Sequence, residues 1–227
     1  MQNQNKLLVA SAVVLAAMLA ATVWAWAVLP EGARVPIHFN IDGHADNYGS
    51  KAFGLFMAPA IVALVTALFA VLPRIEPRRR HLMQSSKLYA VVWLGVVGML
   101  AIVHAQIVLV ATGLYQGSIQ IPLVAVGILF IVLGNYLGKT RSTFFMGIRT
   151  PWTLSSELSW QKTHRLGGRL FVALGVAMIV TTFAAPKLLL PVILVGVLGT
   201  TLTVTVYSYF VWRNDPNRDG NRASPAE

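Results

Sequence analysis

Residues 88–112 read LYAVVWLGVVGMLAIVHAQIVLVAT, 25 consecutive positions without a lysine, arginine, aspartate or glutamate. A helix rises about 1.5 Å per residue, so this stretch reaches about 37 Å and crosses a hydrocarbon core of about 30 Å. In lipid every backbone polar group has to be satisfied within the segment, which a helix does. Five more stretches have the same character, at Leu7–Leu29, Phe53–Leu72, Ile121–Leu137, Leu170–Ala185 and Leu188–Val211. The last two are joined through Pro186 and Lys187, so tightly that they are expected to form an antiparallel hairpin. The expected fold class is an all-α membrane protein, a bundle of six transmembrane helices.

Composition supports that reading. The 227-residue chain is 56% hydrophobic and 11% charged, with a mean hydropathy of +0.66, and a soluble globule needs more polar surface than that. Cysteine is absent, which removes disulfides, thiolate zinc sites and cysteine nucleophiles. A net charge of +10 would suggest nucleic acid in a soluble protein. In a membrane protein it places cationic loops against anionic cytoplasmic lipid, and no direct binding of nucleic acid is expected.

Lysine and arginine stay on the cytoplasmic side during insertion. Arg74, Arg78, Arg79, Arg80 and Lys87 lie between spans two and three. Lys139, Arg141, Arg149, Lys162, Arg165 and Arg169 lie between spans four and five, and Arg213, Arg218 and Arg222 follow span six. With Lys6, 15 of the 18 bases fall on one side, leaving Arg34, Lys51 and Lys187 on the other. Both termini are therefore expected in the cytoplasm of a multi-pass protein of the inner membrane. The basic start and Ala25-Trp26-Ala27 resemble a cleavable signal, but the apolar run fills a whole crossing, longer than the roughly 7 to 15 residues of a signal core. Three regions are expected: an N-terminal two-span part over 1–87, a four-span part over 88–212, and a solvated, disordered tail over 213–227.

Two polar loops stand out, on opposite faces. The outer one contains VPIHFNIDGHADNYGSK, residues 35–51. Val35 to Ile41 suits an extended segment turning at Asp42-Gly43, with Asn40 and Asp42 able to bond the turn backbone. His38, Asn40, Asp42, His44 and Asp46 are candidates for ligand or peptide contact; imidazole and carboxylate also ligate cations, but this spacing is unspecific and no metal or other cofactor is assigned.

The inner loop, GKTRSTFFMGIRTPWTLSSELSWQKTHRLGG over residues 138–168, is dense in chemistry. Pro151 suits the first turn of a helix with Thr150 as its cap, and a second start is available at Ser155 or Ser156 with Glu157 favoured by the helix dipole. From there to Leu166 a short interfacial helix is expected, its Trp160 at headgroup level and its bases toward lipid phosphate. Such a stretch serves as a surface anchor. Arg149, Trp152, Glu157, Trp160, His164 and Arg165 together also supply the bidentate donors, base and aromatic faces that a peptide, phosphate or protein partner requires.

At these residues a resemblance enters. The run GNYLGKTRSTFFMGIRTPWTLSSELSWQKTHRLGG resembles the hallmark of the SdpI family of membrane proteins, with GIRTPWTLSS and W-x-K-T-H-R as its most specific parts. Ser142-Thr143 stands where a Pro-Asn pair is common in that family. The outer loop resembles a separate, functionally uncharacterised domain that often precedes the family motif. The resemblance implies a six-span protein that confers immunity to a secreted, membrane-active toxin peptide, with a cytoplasmic regulator as a second partner. By motif position it marks Arg149, Thr150, Pro151, Trp152, Thr153, Leu154, Trp160, Lys162, Thr163, His164 and Arg165, without assigning individual roles.

Within the bilayer, His104 and Gln106 lie near the middle of span three, where an ionisable group has to find a partner in the bundle. The hydroxyls of Thr200, Thr201, Thr203, Thr205 and Ser208 in span six suit local bonding to helix carbonyls or a polar path. Gly95 with Gly98, and Gly134 with Gly138, suggest close helix packing. No HExxH run and no phosphate loop after a strand occurs, and Ser155 or Ser156 with His164 lacks an identifiable acid and oxyanion donors. No enzyme is expected. A small-solute or proton-linked transporter and a membrane hydrolase remain as alternatives.

Overall fold

The computed structural model describes residues 2–40, 43–116 and 120–218. Its elements are α1 (Gln2–Val28), β1 (Arg34–Phe39), β2 (Ala45–Ser50), α2 (Lys51–Ile75), α3 (Arg79–Gln84), α4 (Ser86–Ala111), α5 (Gln120–Leu137), α6 (Pro151–Ser155), α7 (Glu157–Ala184) and α8 (Leu189–Arg213). Among the described residues six helices are long and apolar enough to cross a membrane, and they fall on the six expected stretches. A single 3₁₀ turn, Pro186–Leu188, joins α7 to α8, and these two helices pack against each other as the expected hairpin. Apolar side chains such as Val9, Val13, Leu64, Leu68, Val195, Leu198 and Leu202 stand exposed along the helices, as they do when the surrounding solvent is hydrocarbon.

The chain divides into two compact units, Met1–Val71 with Val92–Val126, and Leu72–Val91 with Gly127–Glu227. In the first unit the loop after α1 forms an antiparallel hairpin, β1 against β2, with Val35 opposite Gly49 and Phe39 opposite Ala45. The expected extended segment is therefore one strand of a pair. Its partner ADNYGS, polar and exposed, carries no hydrophobic alternation that would mark it in the sequence. Val35 is fully buried in a cluster with Ala25, Leu55, Ile107 and Val108. The approach is allowed by Gly54, where a Cβ would lie 2.6 Å from that of Val35. Lys51 closes the other side: its Nζ donates to the Leu29 carbonyl at 2.5 Å, next to the C-terminus of α1, and lies over the Trp26 ring.

The second unit is built on a glycine-lined crossing of α5 and α7. A Cβ at Gly134 would sit 2.5 Å from the Gly168 carbonyl oxygen, and one at Gly168 would sit 2.6 Å from that of Gly134. A Cβ at Gly127 would lie 2.9 Å from the Gly175 carbonyl, and one at Gly138 would lie 3.3 Å from the Arg165 Cα. Close packing was expected at Gly134 and Gly138, and it is found. At Gly98 it is not, because a Cβ there would meet nothing within 4 Å.

The expected short interfacial helix takes a different form. The short helix is α6, and the segment carrying Trp160 runs unbroken into the fifth span as the 28-residue α7. Gly167 and Gly168 do not end it, because they form its contact with neighbouring elements. At about 1.5 Å per residue α7 is about 42 Å long, more than the hydrocarbon core needs, so its first turns are free to carry polar chemistry. The tail also begins differently: Asp215 is buried, and its carboxylate accepts a hydrogen bond from the Ser156 hydroxyl. Residues 219–227 lie outside the described residues.

Candidate functional site

The candidate site is the polar segment between α5 and α7, and its first property is that most of its motif residues are bonded to one another. Thr150 caps α6: its hydroxyl accepts from Thr153 N at 3.1 Å while Thr153 Oγ1 accepts from Thr150 N at 2.9 Å, a reciprocal box. Pro151 follows at the first helical position, where the missing N–H costs nothing. Ser156 breaks the helix with extended backbone and caps α7, accepting from Ser159 N at 2.9 Å. Both helix starts offered by the sequence are used.

Two aromatic rings hold the centre. Trp160 and His164, one turn apart on α7, are fully buried and stacked with centroids 3.9 Å apart. The Trp160 indole donates to the Thr140 carbonyl at 3.0 Å. His164 Nε2 accepts from the Ile148 backbone N–H at 2.9 Å, and its Nδ1 donates to the Trp160 carbonyl at 2.8 Å. Because Ile148 N can only donate, the imidazole is the Nδ1–H tautomer. Gly147 passes so close, at φ +109°, that a Cβ would lie 2.5 Å from His164 Nε2. The Thr150 hydroxyl meets Ser208 Oγ at 3.0 Å on α8, and Ser159 Oγ donates to the Ser208 carbonyl at 2.8 Å. Of the span-six hydroxyls, Ser208 and Thr200 are buried, while Thr201 and Thr203 are exposed, so they form no continuous path.

A second layer comes from the α2 end and α3, in residues with no motif to mark them. Glu76 is buried, and its carboxylate accepts three backbone N–H groups: Arg78 at 3.0 Å, Phe144 at 2.9 Å and Phe145 at 2.9 Å. Arg78 donates to the Ser142 hydroxyl and to the Leu154 carbonyl, and the His81 ring bonds the Ser142 carbonyl at 2.7 Å. One signal was available in the sequence: an acid directly after a span sits at the unfavourable end of a helix dipole, which implies a partner elsewhere.

What remains outward is a smaller set. Arg149 is exposed and spends one guanidinium nitrogen on the Phe144 carbonyl at 2.8 Å. Lys162 and Arg165 are exposed. Trp152 is half-buried edge-on against Tyr209, and Glu157 is exposed, with a carboxylate oxygen 4.0 Å from Arg141. Thr163 is buried, and its hydroxyl has no hydrogen-bond partner among the described residues. Ser155 donates to the Pro151 carbonyl and Ser156 to Asp215, and the hydrogen bonds of His164 go to Ile148 and Trp160 rather than to either serine.

In the other unit, His38 Nδ1 and Asp46 Oδ1 pair at 2.6 Å across the hairpin, both exposed. Asn40 Oδ1 accepts the His44 N–H at 2.9 Å, and Gly43 takes the left-handed turn position at φ +85°. Asp42 lies outside the described residues. Among the described residues no three His, Asp or Glu side chains converge as a metal site would require. His104 is buried in α4, its Nε2 3.2 Å from the Met18 carbonyl and 3.1 Å from Thr22 Oγ1, which itself donates to the Leu55 carbonyl. The proton is thus on Nε2, and Nδ1 has no partner among the described residues. Gln106 is buried but two residues along the helix, and so faces elsewhere.

Residues 139–210 match the model of the SdpI/YfhL protein family. The matched stretch contains the Thr140-to-Ser208 hydrogen bonds just described. Residues 13–63, which include the hairpin, match a domain of unknown function, DUF1648. Among curated proteins, the immunity protein SdpI of Bacillus subtilis (strain 168) is 24% identical over 168 residues, 72% of this chain and 77% of that protein. No solved structure matches the chain. With six helices able to span a bilayer and this similarity to an immunity protein, the chain is a multi-pass protein of the cell membrane.

Proposed function

We propose that the protein protects its host against a membrane-active toxin peptide and reports the peptide's presence to a cytoplasmic regulator. The observation that carries the reading is the similarity to an immunity protein over most of both chains, with the family match falling on the polar network. In this proposal the bases of the α5–α7 segment face the cytoplasm, together with both termini, and the His38 hairpin faces outward.

The residues then divide by role. Thr150, Thr153, Trp160 and His164 bind the segment together, so their chemistry is spent on the fold. Arg149, Lys162 and Arg165, with the half-buried Trp152, are left to meet a partner. The exposed His38, His44 and Asp46 offer a polar turn to the peptide on the other face. Peptide capture shifts the inner segment only to the extent that the peptide prefers one of two conformations of the bundle.

The test is survival of a toxin-sensitive host under peptide challenge. Wild type is expected to protect relative to empty vector. Arg149→Ala is expected to keep membrane abundance and protection while losing the regulator response. Equal survival of wild type and empty vector would remove the immunity reading.

A second reading, a proton-linked transporter, is favoured by one observation: the Nδ1 of the buried His104 has no hydrogen-bond partner among the described residues. It predicts solute or proton flux in proteoliposomes that vanishes in His104→Ala, and equal leakage in both proteins counts against it.

A further inference from the structure

On the flank of the α5–α7 crossing, outside the hydrogen-bonded network, lies a cleft of about 550 Å³, lined by Lys139, Arg165 and Arg169 over Gly134, Gly138 and Gly168. No acid lines it. Arg165 and Arg169 are exposed, and neither forms an ion pair among the described residues, where the pairs present are His38–Asp46 and Arg141–Glu157. Like charges four residues apart on a helix repel, and Lys139 adds a third cation without a carboxylate to offset it. The glycines are what make this a cleft: side chains at Gly134 and Gly168 would collide with the facing backbone. An anion placed here meets two guanidinium groups, whose forked donors match phosphate oxygens, and one ammonium.

The position decides between a soluble anion and a lipid. Lys139 lies two residues beyond the last residue of α5, Leu137, and Arg169 directly precedes the apolar run of α7 that begins at Leu170. The three cations therefore stand at the level where hydrocarbon gives way to headgroups. Arg165, Arg169, Val172 and Val176 are spaced four, three and four residues apart, so they share one face of α7. Val172 lines the cleft and Val176 is exposed below it. A phosphate held by the bases would thus continue into an apolar track along the same face.

We propose that this cleft is a binding site for an anionic glycerophospholipid, with the phosphate held by Lys139, Arg165 and Arg169 and one acyl chain along Val172 and Val176. The site requires neither a toxin peptide nor a regulator, and it shares only Arg165 with the face offered to a partner above.

The full-length protein, purified in a neutral detergent, is offered equal amounts of phosphatidylglycerol and phosphatidylcholine of matched chains, and bound lipid is counted by native mass spectrometry. Charge-assisted bonds of this kind correspond to a preference of at least about tenfold for phosphatidylglycerol. Arg165→Gln with Arg169→Gln is expected to abolish it, while Arg79→Gln with Arg80→Gln, exposed bases outside the cleft, leaves it unchanged. If the glutamine pair does not purify, Arg165→Lys with Arg169→Lys is read instead and is expected to fall below wild type, because charge is kept and the fork is lost. An unchanged preference in the cleft variant, an equal fall in the Arg79/Arg80 control, or displacement of phosphatidylglycerol by equimolar inorganic phosphate would overturn the proposal.

Discussion

Replacing His164 with leucine isolates what the buried imidazole does. Leucine fills a comparable volume, so the change is dominated by lost polar contacts rather than by a cavity. The Ile148 N–H, now 2.9 Å from Nε2, loses its acceptor, and an unsatisfied donor costs about 1–3 kcal/mol. The stack on Trp160 at 3.9 Å is lost as well, a further ~0.5–1.5 kcal/mol. The bond from Nδ1 to the Trp160 carbonyl adds little, because that oxygen lies within a helix and keeps its backbone partner. The sum is about 1.5–4.5 kcal/mol, and at about 2–4 °C per kcal/mol for a chain of this size it lowers Tm by roughly 3–18 °C. Thermal unfolding of the detergent-purified protein, followed by intrinsic tryptophan fluorescence, measures it. Lys162→Ala, two residues away and exposed, is the comparison and is expected within about 0.5 kcal/mol of wild type. A His164→Leu protein as stable as Lys162→Ala would refute the acceptor role of Nε2 and the tautomer deduced from it.

Three other substitutions read the same architecture elsewhere. Glu76→Gln keeps one acceptor oxygen but turns an amide NH₂ toward backbone donors, so about 2 kcal/mol or more is lost; faster limited proteolysis between Lys139 and Thr150 is the readout. Gly168→Val drives a side chain into the Gly134 carbonyl and is expected to cost about 1–3 kcal/mol, whereas Gly98→Ala, with open space around it, is neutral or gains up to about 1 kcal/mol in unfolding assays. His38→Ala removes an exposed ion pair and is expected to change stability by no more than about 1 kcal/mol, so any functional loss in that variant reports contact rather than folding.

The six spans were legible because their signal is local: an uninterrupted apolar run of sufficient length needs no partner to be recognised. Their ends were less so, since Lys51 and Arg74 belong to α2 although charge suggests a loop. The polar segment stood out in the sequence, but which of its residues are buried did not. Trp160 beside Lys162 and Arg165 has the composition of an interfacial helix, but which face is buried depends on Thr140, Ile148 and Ser208, supplied by other elements. Glu76 carried only its place directly after a span as a signal, and its partners could not be named, because two of its three donors lie 68 and 69 positions away. The strand Ala45–Ser50 has no periodic apolar signal, and its pairing is fixed by β1. Conversely, the cap residues Thr150 and Ser156 and the Gly134 contact could be read directly, since caps and close helix crossings leave residue types that few alternatives satisfy.

The central claim is that the two polar regions serve opposite faces of one membrane, and the absence of cysteine from the chain makes it directly measurable. Single-cysteine variants Asp46→Cys in the hairpin and Lys162→Cys on α7, both at exposed positions, are treated in intact cells with a membrane-impermeant maleimide. The account predicts labelling of Asp46→Cys in intact cells and of Lys162→Cys only after permeabilisation; labelling of both variants from the same side would contradict it.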